Sequence, residues 1–228
     1  MNVNCASFFD VDETLIAGKS MFEFLDHYCA STSTTLSGLD IRADIARAVE
    51  SGAPREHVNR RFYSHLAGHR WTDLLESGQQ WYTAASRREG FFCRGAIDQL
   101  DHDRSRGNTI VLVSGSFLPA LRPIAAALDV DAVLCTELYL REGIVTGRVH
   151  APMIGAEKRV AVVRYAGQHH ISLEKSSAYG DHESDFPMLN AVGNPVVVNA
   201  DQRMRQLAKE LHFAVLGDAT TGEPQVLH

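Results

Sequence analysis

The chain has 228 residues, 45% hydrophobic and 22% charged, enough for one good-sized core or for a core carrying an inserted subdomain. Its 28 acidic and 22 basic residues give a formal net charge of -6. That balance argues against nucleic acid or a membrane surface as partner, because both are usually met with a basic patch, and it leaves small anionic substrates open. Four scattered cysteines, Cys5, Cys29, Cys93 and Cys135, form no CxxC pair, so neither a zinc cluster nor a disulfide framework is expected. The start, MNVNCASFF, carries neither a basic leader nor a long apolar segment, and no stretch approaches the roughly 20 apolar residues that span a bilayer. A reduced, cytoplasmic protein is expected.

In chain order, residues 6–12 read as a short apolar strand ending at an acidic pair, Asp10 and Asp12. From about 17 to 90, the segments MFEFLDHYCA, LDIRADIARAVESG, REHVNRRFYSHLAG and WTDLLESGQQWYTAASRREG carry the periodicity of amphipathic helices. Gly52, Pro54, Gly68 and Gly78 punctuate them. Strand and helix then alternate. NTIVLVSG is a buried strand, FLPALRPIAAAL a helix with Pro119 in its first turn, and DAVLCTEL a second strand. YLREGIVTGRV is a hairpin turning at Glu142-Gly143, and AEKRVAVVRYAG a helix. The rest reads as a strand end at SSAYGD, a short helix at SDFPMLNAV, a strand at PVVVN, a helix at DQRMRQLAKEL and a last strand at FAVL. Apolar strands separated by helices predict a parallel sheet covered on both faces, with its ligand at the carboxyl ends of the strands.

Three apolar strands end in polar clusters: FFDVDET at 8–14, VLVSGSF at 111–117 and AYGDHESD at 178–185. In a parallel sheet these ends share one edge, so Asp10, Asp12, Ser114, Asp181 and Asp185 can converge, with Lys158 at a helix start just before the third cluster. Carboxylates in such a set suit Mg²⁺, which takes hard oxygen ligands. Each feature also has a plainer reading: a turn for the acidic pair, a helix cap for Ser114, a solvated charge for Lys158.

The four segments DxDxT, SGS, a lone lysine and GDxxxD, in this order and context, resemble the haloacid dehalogenase (HAD) superfamily, subfamily IB, the phosphoserine-phosphatase-like branch. The resemblance implies an α/β fold, a HAD-like Rossmannoid parallel sheet flanked by helices with an inserted all-helical C1 cap. Residues 1–16 and 91–228 would form the core and 17–90 the cap. It implies a Mg²⁺-dependent phosphatase acting on a small-molecule phosphate ester (an amino-alcohol, amino-acid or sugar phosphate). Asp10 would be the nucleophile, forming an aspartyl-phosphate, and Asp12 the general acid and base. Mg²⁺ would be held by the side chains of Asp10 and Asp181 and the main-chain carbonyl of Asp12. Asp185 would anchor that metal sphere, and Ser114, Gly115 and Lys158 would hold the phosphate, the first two at a helix start. Thr14 is the motif's supporting hydroxyl.

The match has departures. The phosphoserine branch carries a glutamate soon after the first motif to hold an ammonium. The matching position here is about Lys19, with Glu23 a turn further on, so phosphoserine stands beside histidinol phosphate as one candidate. Glu13 replaces the glycine that commonly follows the second aspartate. For leaving-group selection the cap offers Arg60, Arg61 and Trp71, within a wider set of His57, His65, His69, Arg70, Trp81 and Tyr82. The rival readings are a phosphotransferase or mutase on the same scaffold, and a non-catalytic phosphometabolite-binding protein.

Overall fold

The computed structural model describes residues 4–31 and 36–216. Residues 1–3 and 217–228, expected in the core, and 32–35, expected in the cap, lie outside the described residues. Strand β1 (Ala6–Phe9) leads into four helices, α1 (Ser20–Ser31), α2 (Gly38–Glu50), α3 (Arg55–Ser64) and α4 (Trp71–Ala85). Then come α5 (Arg94–Ser105), β2 (Thr109–Phe117), α6 (Leu118–Ala127), β3 (Ala132–Thr136), and a hairpin of β4 (Leu138–Arg141) and β5 (Ile144–Val149). The chain continues through α7 (Ala156–Gln168), β6 (Ser177–Gly180), α8 (Phe186–Leu189), β7 (Asn194–Val197), α9 (Gln202–Glu210) and β8 (Ala214–Val215). Among these elements no helix is long and apolar enough to cross a membrane.

Six strands form one parallel sheet in the order β3-β2-β1-β6-β7-β8. A strand sends alternate side chains to opposite faces, and the apolar runs obey this strictly. Phe9, Ile110, Leu112 and Tyr179 enter one hydrophobic cluster, while Phe8, Val111, Val113 and Ala178 enter the other. The first cluster is sealed by α5, α6 and the four inserted helices, the second by α7, α8 and α9. Helix α5 is an element that the periodicity does not reveal. Its sequence RGAIDQLDHDRS is mostly polar, and only Ala96, Leu100 and Asp103 are buried. A polar anchor supplements that narrow stripe: Asp103 accepts hydrogen bonds from Ser7 (2.6 Å), Tyr179 (2.7 Å) and Gln99 (2.9 Å).

The helical block shares its core with the sheet instead of resting on it as a separate body, because one continuous cluster includes Phe24, Tyr63 and Trp81 together with Phe9 and Leu112. Phe117, at the end of β2, is the central ring of the seam, with its centroid 5.1 Å from Phe24, 5.2 Å from Tyr63 and 6.4 Å from Trp71. Backbone bonds add to this. Gly68 N–H donates to Val145 O (2.8 Å), Val145 N–H to His69 O (2.9 Å) and Trp71 N–H to Gly143 O (2.8 Å), so the segment between α3 and α4 is laced to the hairpin. The hairpin turns where expected, with Glu142 and Gly143 both at positive φ (52° and 77°).

Helix α4 also crosses α6 at backbone contact: a Cβ on Gly78 would lie 1.8 Å from Pro119 O. Helix propensity alone favours Gly78→Ala by about 0.8–1.0 kcal/mol, but the collision with a main-chain oxygen dictates the opposite sign. We expect Gly78→Ala to destabilise the fold by about 1–3 kcal/mol, read as a lower midpoint in urea unfolding. A gain in stability would show that the two helices are farther apart than described.

Candidate active site

In this strand order the chain runs outward from β1 in one direction and then resumes at β6 on its other side, which makes the β1/β6 boundary the switch point where open α/β sheets hold ligands. Asp10 follows β1 directly, with its N–H donating to Tyr179 O (2.9 Å) on the neighbouring strand. The strand itself stops at Phe9, earlier than the expected end at residue 12. The chain then folds back, with the N–H groups of Thr14 (3.3 Å), Leu15 (2.9 Å) and Ile16 (3.0 Å) all donating to Val11 O. Asp10 and Asp12 both line one cavity, and the tight turn follows immediately after them, at 13–15. Glu13 sits at φ 64°, the left-handed region that glycine enters without penalty. Its carbonyl accepts from Asn199 Nδ2 (2.7 Å) and its carboxylate pairs with Lys19 (3.3 Å), which hold the turn in place.

Lys158, at the start of α7, is 4% exposed and donates to Asp10 Oδ1 (2.5 Å) and Asp185 Oδ1 (2.6 Å). Burial alone would depress its ammonium, but the two carboxylates overcome that and lift it above the usual lysine value. Asp10 is pushed well above the carboxylate range by burial, which Lys158 opposes and Asp185, Asp181 and Asp12 reinforce. Burial also raises Asp12 to about 6, against the pull of hydrogen bonds from Ser20 and the charge of Lys158; its Oδ1 accepts from Ser20 N–H (2.9 Å). Asp181 is raised to about 6 by burial and by Asp185, and it accepts a bond from Thr14 Oγ1 (3.0 Å). Asp185 Oδ2 accepts from His182 N–H (3.2 Å), tucked so close to β6 that a Cβ on Gly180 would lie 2.7 Å from Asp185 Cβ.

Asp10, Asp181 and Asp185 each bring a carboxylate oxygen within 4.8 Å of the others. Carboxylates this close, with Asp10 and Asp181 both pushed toward their neutral forms, fit a divalent cation: its charge would return those two to the ionised state. Asp185 is already bonded through both oxygens, to Lys158 and to His182 N–H, and the Asp12 carboxylate, bonded to Ser20 N–H, is not one of the three.

Ser114 and Gly115 line the same cavity, but they lie inside β2, with the helix beginning only at Leu118 and no side-chain cap there. Ser114 Oγ accepts from Ser116 N–H (3.1 Å), which leaves its own O–H to donate. Gly115 O accepts three bonds, from Asn59 Nδ2 (2.8 Å), Tyr63 OH (3.1 Å) and Thr136 Oγ1 (2.9 Å). Two of these donors belong to α3, so the inserted helices fix this end of β2 beside the carboxylates.

The structure puts the expected cap residues elsewhere. Arg60 donates to Val149 O (2.7 Å), Arg61 pairs with Asp44 (2.6 Å), and Trp71 packs on Phe117; none lines the cavity. His65 and His69 are likewise engaged, with Asp44 (3.0 Å) and Tyr28 (2.7 Å). The cavity, about 330 Å³, is instead closed by Phe22, Val58, Asn59, Phe62 and Arg55 among others. Arg55 Nη1 lies 2.9 Å from Nε2 of His182, a residue whose place in the fourth motif suggests only a solvent-facing loop. Lys19 lines the rim paired to Glu13, and Glu23 pairs with Arg88 away from the cavity.

The sequence model described as haloacid dehalogenase-like hydrolase matches residues 7–190. Phosphoserine phosphatase SerB2 of Mycobacterium tuberculosis is 35% identical over 88% of this chain and 45% of its own length. The inhibition of morphological differentiation protein of Streptomyces azureus is 28% identical over 92% of this chain and 77% of its own length. Among solved structures, a protein of unknown function from Bordetella pertussis superposes with a TM-score of 0.83 at 23% identity, covering 95% of this chain and 99% of that one. A phospho-aspartyl intermediate analogue of phosphoserine phosphatase gives 0.65 at 20% identity over 90% and 91%. These structural likenesses show the fold.

Asp12 and Asp181 hold their protons up to about 6 in the fold, whereas an ordinary aspartate releases its proton near 3.8. An acid raised in this way contributes stability below the unfolded value and loses it as pH climbs through the folded one. Without metal, the melting temperature should therefore fall between about pH 4 and pH 7, and added Mg²⁺ should raise it far more at neutral pH than near pH 4. Equal stabilisation by Mg²⁺ at both ends, measured by thermal shift, would remove the carboxylate cluster as a cation site.

Proposed function

Since the chain belongs to the haloacid dehalogenase-like hydrolase family, we propose that it is a Mg²⁺-dependent phosphatase hydrolysing a small-molecule phosphate monoester through an aspartyl-phosphate on Asp10. The observation that carries this reading is the unequal pair in one cavity, Asp10 gripped by Lys158 and Asp12 raised to about 6 away from that grip. One carboxylate is oriented to attack and the other is tuned to exchange a proton near neutral pH, where acid–base catalysis works best.

Asp10 attacks phosphorus, the bond to the ester oxygen breaks, and protonated Asp12 gives its proton to the departing alkoxide. Asp12, now ionised, takes a proton from water as that water attacks the acyl phosphate, which frees Asp10 and releases inorganic phosphate. Ser114 O–H, Gly115 N–H and the Lys158 ammonium stabilise the phosphoryl oxygens through the transfer. Mg²⁺, held by Asp10, Asp181 and the Asp12 carbonyl, would supply charge neutralisation to carboxylates and phosphoryl group alike. The cavity's size suits a small ester. A purely binding protein has no use for a proton-exchanging group at Asp12.

Asp10→Asn should abolish turnover of 4-nitrophenyl phosphate while leaving the circular dichroism spectrum unchanged. Asp12→Asn should lower kcat by about 10²–10⁴. EDTA should silence the wild type and Mg²⁺ restore it. An Asp10→Asn protein working at close to the wild-type rate would refute the nucleophile.

A further inference from the structure

Asp10, Asp12, Asp181, Asp185 and Lys158 line the reaction centre of the cavity, whereas Glu13, Lys19, Arg55 and His182 are exposed and form its rim. On that rim Lys19 and Glu13 offset each other (3.3 Å). Arg55 pairs with no carboxylate among the described residues. Its guanidinium, carried on the first turn of α3, lies against the imidazole of His182 from the loop after β6, with Nη1 2.9 Å from Nε2.

That approach is not a completed hydrogen bond. His182 Nδ1 accepts from Ser184 N–H (3.0 Å). A ring nitrogen that accepts carries no proton, so the proton of the neutral imidazole sits on Nε2. A guanidinium nitrogen likewise has only N–H to offer. Two donors therefore face one another across the seam between the inserted helices and the sheet. Such a pair is satisfied by an acceptor shared between them, and a guanidinium binds an anionic acceptor most strongly. The start of α3 points the same way: it has no side-chain cap, and the positive end of a helix favours negative charge.

An ammonium finds no matching place. Four of the five acids lining the cavity gather at the reaction centre, and the fifth, Glu13, is taken by Lys19. The inserted helices bring no acidic side chain to the lining among the described residues; their share is largely apolar, with Phe22, Ile45, Val58 and Phe62. A cation pressed on that wall would give up its hydration with no carboxylate to replace it.

We propose that the alcohol released by this enzyme carries a second anionic group and no ammonium, and that Arg55 and the Nε2–H of His182 hold that anion jointly, bridging the inserted helices and the core. This rests on the phosphatase reading and names its substrate class: a phosphate ester whose far end bears a carboxylate or another phosphate. A site built around such a contact discriminates against the analogue that lacks it.

The test uses the full chain with Mg²⁺ and a panel of short esters: propyl phosphate, 3-phosphonooxypropanoate, propane-1,3-diol bisphosphate, O-phosphoethanolamine and O-phospho-L-serine, with 4-nitrophenyl phosphate as control. We expect kcat/KM for the better of the two purely anionic esters to exceed that for propyl phosphate by about tenfold or more, and the faster of the two identifies the anion as carboxylate or phosphate. Phosphoethanolamine should gain nothing over propyl phosphate, and phosphoserine nothing over 3-phosphonooxypropanoate. In Arg55→Gln the preference for the anionic ester should collapse toward unity, while Arg55→Lys, which keeps the charge and loses the fork, should retain part of it. The wild-type ratios decide the matter should the variants fold poorly. Equal rates for the propyl and anionic esters, turnover of the aryl ester alone, or a preference undiminished in Arg55→Gln overturns the anion site and leaves the phosphatase reading intact. Phosphoserine outrunning its analogue without the ammonium overturns the exclusion of a cation. No turnover of any ester, the aryl control included, removes both readings.

Discussion

Everything at the switch point depends on keeping a lysine charged in a place with almost no water. Lys158 is paid for by two carboxylates at once, Asp10 and Asp185, and the geometry is tripartite: remove the cation and two acids face each other in a buried site. Breaking a buried pair from one side typically costs about 3–5 kcal/mol, because the remaining charge stays where it is. The arrangement is thus poor as a stabilising device and good as an orienting one. It fixes one oxygen of Asp10, and through Asp185 it fixes the loop after β6, so two strands' ends are registered against one ammonium. The two-way bond also explains why Asp185 lies flat against Gly180, where any larger residue would displace it.

The same compactness creates the tension that the site exploits. Desolvation drives Asp10, Asp12 and Asp181 toward their neutral forms, and one lysine cannot offset all of them. A fold that merely sought stability would dilute these acids or replace them with apolar residues. Concentrating them sets a cluster of acids against a single buried ammonium, while Asp12, bonded to Ser20 instead of Lys158, is raised less far than Asp10. Environment, and not residue type, separates two aspartates that stand two residues apart.

The sheet and its polar edge are legible in the sequence for a simple reason. Runs such as FF at 8–9 and VLV at 111–113 must be buried on both faces, and the polar residues that follow must then emerge at a common edge. The resemblance built on those residues names the family that the comparisons show. Helix α5 escapes because its attachment runs through Asp103 and a buried hydrogen-bond network, which has no hydrophobic period. The cavity wall escapes for a different reason. Arginines and a tryptophan advertise chemistry in a linear reading, yet which way a helix faces is set by packing, and Arg60, Arg61 and Trp71 are consumed in holding the helices to the hairpin, to Asp44 and to Phe117. Asn59, a single amide between Val58 and Arg60, gives no signal until the fold seats it against Gly115 O.

The backbone bonds from Gly68, Trp71 and Val145 have an implication for how such a molecule can be remodelled. The helical roof and the β4–β5 ribbon are stitched through main-chain atoms, so neither can be swung aside or swapped alone without stranding amides. A chimaera that transplants the roof from a relative would have to bring that relative's ribbon with it, although the two are separated along the chain by α5, β2, α6 and β3. The unit of inheritance for selectivity is in that sense discontinuous: two patches of sequence, one graft.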